Sequence, residues 1–163
     1  ALKSIVGIGE HLGKTEEDFY CAIASSFMLS ADNAHAVHPH HPQKTDATNC
    51  VYMNEGIVVK SHAGQKYTSD AVSVAVFKDL CKKANVPVQF FANRSDEAGG
   101  STLGNIAMAQ VSMNSVDIGL PQLAMHSTYE TAGIKDTYYM IQVMTEFFNS
   151  HISEANSHSL KVD

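Results

Sequence analysis

Four of the nine histidines crowd into seven positions, His35, His38, His40 and His41, and Asp32 stands just ahead of them. Carboxylate oxygen and imidazole nitrogen are both good zinc ligands, so this Asp with histidines three and six residues on is a candidate metal-binding segment. The competing reading is a polar turn whose Asp caps a helix and whose imidazoles face water; the spacing matches no short zinc signature. A second candidate is His126, which follows the run Pro121-Gln122-Leu123-Ala124-Met125. A lone His after an apolar strand is commonly a satisfied buried side chain. The ligand reading strengthens if Asp32 and His126 meet at one sheet edge. Two ligands are still too few, because a catalytic zinc usually has three protein ligands plus water and a two-metal site needs more.

Two further features offer binding rather than ligation. Paired glycines, Gly99-Gly100, precede Ser101-Thr102 at a strand-to-helix turn. Backbone N–H groups there could hold an anion, a carbonyl oxygen or a developing oxyanion; a plain tight turn with a Ser or Thr cap is the alternative. The segment is not a P-loop, since no Lys follows the glycines. Lys60, at the end of an apolar strand, could pair with a substrate carboxylate or simply sit solvated at the surface.

The elements that must position these residues can be read from periodicity. Thr15-Glu16-Glu17-Asp18 is a helix start, and Phe19, Ile23, Phe27 and Met28 extend the spacing to a helix over 16–28. Residues 38–55 form a long polar loop. Ile57–Val59 reads as a strand, 71–81 as a helix capped by Ser69 or Asp70 and stopping near Asn85, and 86–92 as a buried strand. A helical segment over 106–111, a strand over 116–119 and a helix over 136–151 complete the pattern. Alternating helices and strands predict an α/β three-layer sandwich, with a central mostly parallel or mixed sheet and helices on both faces. In such folds sites collect in loops at strand ends.

Composition sets the bounds. The chain has 163 residues, about one domain's worth. Eleven Lys and Arg against seventeen Asp and Glu give a net charge of −6, with no basic stripe, so duplex nucleic acid is an unfavourable partner. No apolar run reaches the roughly 18 residues of a membrane helix, so no membrane span is expected. Cys21, Cys50 and Cys81 are odd in number and widely spaced, which points to a reducing, cytoplasmic compartment. The start Ala1-Leu2-Lys3, without Met, reads as a piece whose true beginning lies elsewhere.

Five segments then stand in order: SADNAHAVHP, GIVVK followed by QKYTSDAVS, NRSDEAGGSTLG, VDIGLPQLAMHS and YMIQVMTEFF. Together, over roughly residues 15–150, they resemble the C-terminal part of the aspartyl aminopeptidase family of zinc metallopeptidases. The resemblance implies that residues 1–163 are the C-terminal portion of an α/β catalytic domain, with its N-terminal portion and a dimerisation domain lying outside the chain. It implies a two-metal hydrolase, with zinc and alternatively cobalt or manganese, that removes N-terminal, often acidic, residues from peptides. Asp32 and His126 then become metal ligands. His35 and His38 line the site or hold its shape, Lys60 is placed to meet the substrate, and Gly99, Gly100 and Ser101 form the substrate-binding rim. No catalytic base falls in this segment; the first ligand His, the bridging Asp and an adjacent Glu pair belong to the missing part, which makes the remainder of the same domain an obligate partner. A homo-oligomer, a dodecamer by resemblance, is implied as well. The chain departs from the family pattern at His40, Thr45, Asn49, Lys66 and Tyr129, positions that bear on substrate preference.

Two rival readings follow from the incomplete ligand set. One is a non-catalytic binding or assembly module of the same fold. The other is an unrelated α/β module whose His-rich loop is merely solvated.

Overall fold

The computed structural model describes residues 12–156 and 159–163; Ala1 to Lys3 lie outside them. The first helix, α1, spans Glu16–Ala24. A capping box starts it: the Thr15 hydroxyl accepts from the Asp18 N–H, while the Asp18 carboxylate accepts from the Thr15 N–H. It ends before the expected Met28. The hydroxyls of Ser25 and Ser26 bond back to the carbonyls of Cys21 and Ala22, and Phe27 and Met28 belong to a strand, β1 (Phe27–Ala31). Phe27 and Leu29 meet the core at the two-residue period of a strand, and that burial overrides the helical spacing.

A two-residue strand, β2 (Ala34–His35), follows at once. The polar stretch after it holds only one 3-10 turn, Pro42–Lys44. Then come β3 (Ile57–Ser61), α2 (Ala71–Lys83), β4 (Val88–Ala92), α3 (Leu103–Gln110) and β5 (Asn114–Gly119). Asp70 caps α2 by accepting from the Val72 and Ser73 N–H groups. After β5 the chain forms β6 (Pro121–Leu123), β7 (Thr131–Ala132), α4 (Ile134–Asn149) and a hairpin of β8 (Ile152–Asn156) and β9 (Ser159–Val162). The short strands β2, β6 and β7 escape sequence reading, because two or three residues carry no measurable alternation; the five- and four-residue strands of the hairpin escape it as well.

The main sheet has the order β1-β5-β3-β4. Its outer pairs are parallel, and β3 runs antiparallel to β5, so the sheet is mixed as expected. Ile57, Val59, Val116 and Ile118 point to one face, where Phe77, Leu80, Cys81 and Val143 of α2 and α4 complete the larger core. Val58 points to the opposite face, packed with Ala34, Val51, Phe91 and Tyr67. On that side α3 abuts the sheet through Gly104, at which a Cβ would lie 2.7 Å from Ser30 Oγ. Helices therefore cover both faces. The three cysteines are free, with Cys81 in the larger core.

The entry to β3 is held from α4. Asp136 is fully buried; its Oδ2 accepts from the Asn54 N–H (2.5 Å) and its Oδ1 from the Gly56 N–H (3.0 Å). Burial raises its carboxyl above the ordinary range, against the downward pull of those two N–H groups. Asp136→Asn leaves one of these donors facing an amide NH2. We expect a loss of about 1–3 kcal/mol in chemical denaturation, the cost of one buried unpaired donor; unchanged stability would contradict this anchoring role.

Candidate functional site

The site sits where two parallel strands change sheet together. β1 lies beside β5, with Ala31 opposite Ile118, and β2 lies beside β6, with Ala34 opposite Pro121. Asp32 occupies the corner between them. Its N–H donates to the Ile118 carbonyl at 3.0 Å. Its own carbonyl crosses the backbone at Gly119 so closely that a Cβ there would lie 1.9 Å from it. The Asp32 carboxylate accepts from the Asn33 N–H at 2.8 Å and is otherwise open.

His126 reaches the same place from the loop between β6 and β7, strands paired antiparallel. Ala124 and His126 both have left-handed backbone, φ 54° and 67°. For side-chain-bearing residues that conformation is strained, and such strain gathers at functional sites. The Glu130 carboxylate holds the loop by accepting from the His126 N–H at 2.6 Å.

Asp32, His126, His35, Lys60, Gly100 and Ser101 all line one cleft of about 130 Å³. The sequence expectation that Asp32 and His126 meet at one edge is met. Two of the residues expected at the site, His38 and Gly99, do not line this cleft. His38 lines a neighbouring cavity of about 510 Å³ with His41 and Lys44, its ring 5.2 Å from that of His41. Gly99 lies beside the His62 ring, and its carbonyl accepts from Lys66 Nζ at 2.7 Å. His35 and Phe91 line both cavities and divide them.

The electrostatics turn on Lys60. It is 2% exposed, so the surface-lysine reading fails. Burial lowers its ammonium pKa, opposed by the negative charges of Asp32 and Asp117. Nζ donates to the carbonyls of Asp32 (3.3 Å) and Asn33 (3.4 Å) and lies 5.1 Å from the centre of the Tyr67 ring. His35 is also pushed down, first by burial and then by the neighbouring His126 and Lys60. Asp117, fully buried on β5, accepts from Ser30 Oγ (2.6 Å) and from the Thr68 N–H (2.6 Å) and hydroxyl (3.0 Å). Ser30 Oγ in turn accepts from the Gly104 N–H at 3.0 Å, which ties α3 to the cleft floor.

The sequence reading gave no role to Tyr67 and Met125, which line the cleft, or to Asp117 behind it, and named Thr102 only as part of the glycine turn. The one legible signal was Asp117 itself, a charge inside an apolar strand. A carboxylate and an imidazole facing one cleft suit zinc. Among the described residues, however, no group of three His, Cys, Asp or Glu side chains could hold a metal ion.

A model of the aminopeptidase I zinc metalloprotease family (M18) matches residues 2–148. A probable M18 family aminopeptidase 2 of Clostridium novyi is 52% identical over 138 residues, covering 85% of this chain and 32% of that protein. Its counterpart in Clostridium acetobutylicum is 48% identical over 137 residues, covering 84% and 32%. This chain thus spans about a third of the length of these curated relatives. In a cryo-EM structure of the Ape4 and Nbr1 complex, the matching chain superposes with a TM-score of 0.85 at 35% identity, over 90% of this chain and 28% of that one. The S. cerevisiae mApe1 dodecamer gives 0.76 at 26% identity, over 91% and 32%.

The close crossing yields a paired prediction. Gly119→Ala drives a Cβ into the Asp32 carbonyl, whereas a Cβ at Gly100 meets nothing within 4 Å. In thermal or chemical unfolding, Gly119→Ala is expected to cost at least about 1–3 kcal/mol, the usual penalty of overpacking. Gly100→Ala should leave stability unchanged. Equal behaviour of the two variants would refute the crossing as a constraint.

Proposed function

This chain belongs to the aminopeptidase I zinc metalloprotease (M18) family, and on that premise we propose that it is the C-terminal portion of a two-metal aminopeptidase catalytic domain. The protein carrying it removes N-terminal residues, acidic ones by preference, from peptides. The observation that carries this reading is the shared cleft of Asp32 and His126, with the buried ammonium of Lys60 beside them.

Asp32 and His126 are the metal-holding donors in this proposal. Bound zinc supplies Lewis-acid polarisation of the scissile carbonyl and acidifies water; cobalt or manganese are alternatives. The chain's own residues do the rest of what falls to this portion. Lys60 places a cation where an acidic first side chain would enter, and its low solvent exposure strengthens that attraction. Gly100 and Ser101 line the cleft, and in this proposal their backbone N–H groups take a carbonyl oxygen as it gains charge. His35 closes the wall between the two cavities. Proton movement needs a carboxylate from the remainder of the domain. Taken alone, the chain is in this proposal an inactive half-site.

The proposal extends to assembly and place. The likeness to the mApe1 dodecamer supports a homo-oligomer of that kind. Three free cysteines accord with a reducing cytoplasm. Among the described residues no helix is long and apolar enough to cross a membrane.

Substitution in the full-length protein tests the assignment. Asp32→Ala and His126→Ala should each cut metal-dependent release of N-terminal residues by more than about a hundredfold, beyond what loss of a supporting residue of a metal site costs. Normal turnover with full metal content in both variants would end the assignment.

A further inference from the structure

Three buried side-chain polar atoms among the described residues lack a hydrogen-bond partner: His62 Nε2, Thr102 Oγ1 and Gln122 Oε1. Of the three residues, Thr102 alone lines the cleft. It is 5% exposed and stands at the N-cap of α3, yet its hydroxyl makes no cap bond. A Thr at this position ordinarily accepts a helix N–H. Left without that bond, a buried hydroxyl is unfavourable unless something else occupies it. It also sits at the positive end of the helix, where an anion is favoured.

The neighbouring cation is similarly short of one partner. An ammonium group has three donors. Lys60 directs two hydrogen bonds to the Asp32 and Asn33 carbonyls. One N–H therefore remains for a ligand. Both residues line the same cleft, and one free N–H with one free hydroxyl matches in number the two oxygens of a carboxylate. The Asp32 carboxylate, also at this cleft, is reserved for metal in the function proposed above.

We propose that Thr102 is a specificity-determining residue, whose hydroxyl joins Lys60 in binding the side-chain carboxylate of the substrate's first residue. The inference rests on the peptidase reading. An aliphatic first residue leaves both donors unpaired, and polar sites reject such analogues strongly. A Gln side chain offers one acceptor and turns its NH2 toward a donor.

Thr102→Val in the full-length enzyme tests this, because it keeps the shape and deletes only the hydroxyl. Since that hydroxyl has no protein partner, the variant should melt at or above the parent's temperature. For glutamyl p-nitroanilide, kcat/KM should fall by about tenfold to a hundredfold, the worth of a hydrogen bond to a charged group. For alanyl p-nitroanilide it should not change, and Thr102→Ser should restore the glutamyl rate. Calorimetry with free L-glutamate should show weaker binding by a similar factor, with L-glutamine already weak in the parent. Equal losses on both substrates, or no loss on either, would overturn the assignment. So would a parent that cleaves the alanyl but not the glutamyl substrate, which leaves the peptidase reading standing. A parent that cleaves neither, yet binds glutamate through Thr102, would sink the peptidase reading and keep the carboxylate site.

Discussion

The geometry of the cleft depends on one close crossing of main chain, where the Asp32 carbonyl lies over Gly119. With a Cβ position 1.9 Å from that oxygen, only glycine fits beneath it. The contact fixes where the chain leaves β1 and steps to β2. It thereby fixes Asp32 at the corner and lets β6 carry the loop that holds His126. The same carbonyl is one of the two acceptors for Lys60. A ligand candidate, a buried cation and the switch between two sheets thus share a single peptide group.

Lys60 and Asp117 are the electrostatic complement of that crossing. β3 and β5 pair antiparallel with Val59 opposite Ile118, and these two residues stand one step further along the ladder. Burying an ammonium costs several kcal/mol, so a buried lysine needs compensation. Two carbonyls, the Tyr67 face and the charges of Asp32 and Asp117 provide it in part. The downward direction of its pKa indicates that burial still outweighs them. A cation left under-compensated inside a cleft is poised for an anionic ligand. Asp117, by contrast, is saturated by Ser30 and Thr68 and acts through them, holding α3 against the cleft floor.

Much of this was legible in the residues. Asp32 and His126 were marked by type and position, and Lys60 by its place at the end of an apolar strand. The long helices and strands were readable because their periods repeat several times. The strand Phe27–Ala31 was not, because Phe27 and Met28 also satisfy helical spacing from Phe19 and Ile23; only pairing with β5 decides between the two. Thr102 was unreadable for another reason. A Thr after two glycines looks like a helix cap, and the absence of a cap bond is a fact of geometry. His38 and Gly99 share motifs with site residues yet do not line the cleft; His38 lies beyond the two-residue strand that carries His35.

The central claim is that Asp32 and His126 together hold metal in the complete protein. Anomalous diffraction at the zinc edge, from crystals of the full-length protein, tests it most directly. Zinc peaks are expected at about 2.0–2.2 Å from an Asp32 carboxylate oxygen and a His126 ring nitrogen, with the other ligands drawn from outside this segment. Zinc bound at full occupancy with neither residue in its coordination shell would contradict it.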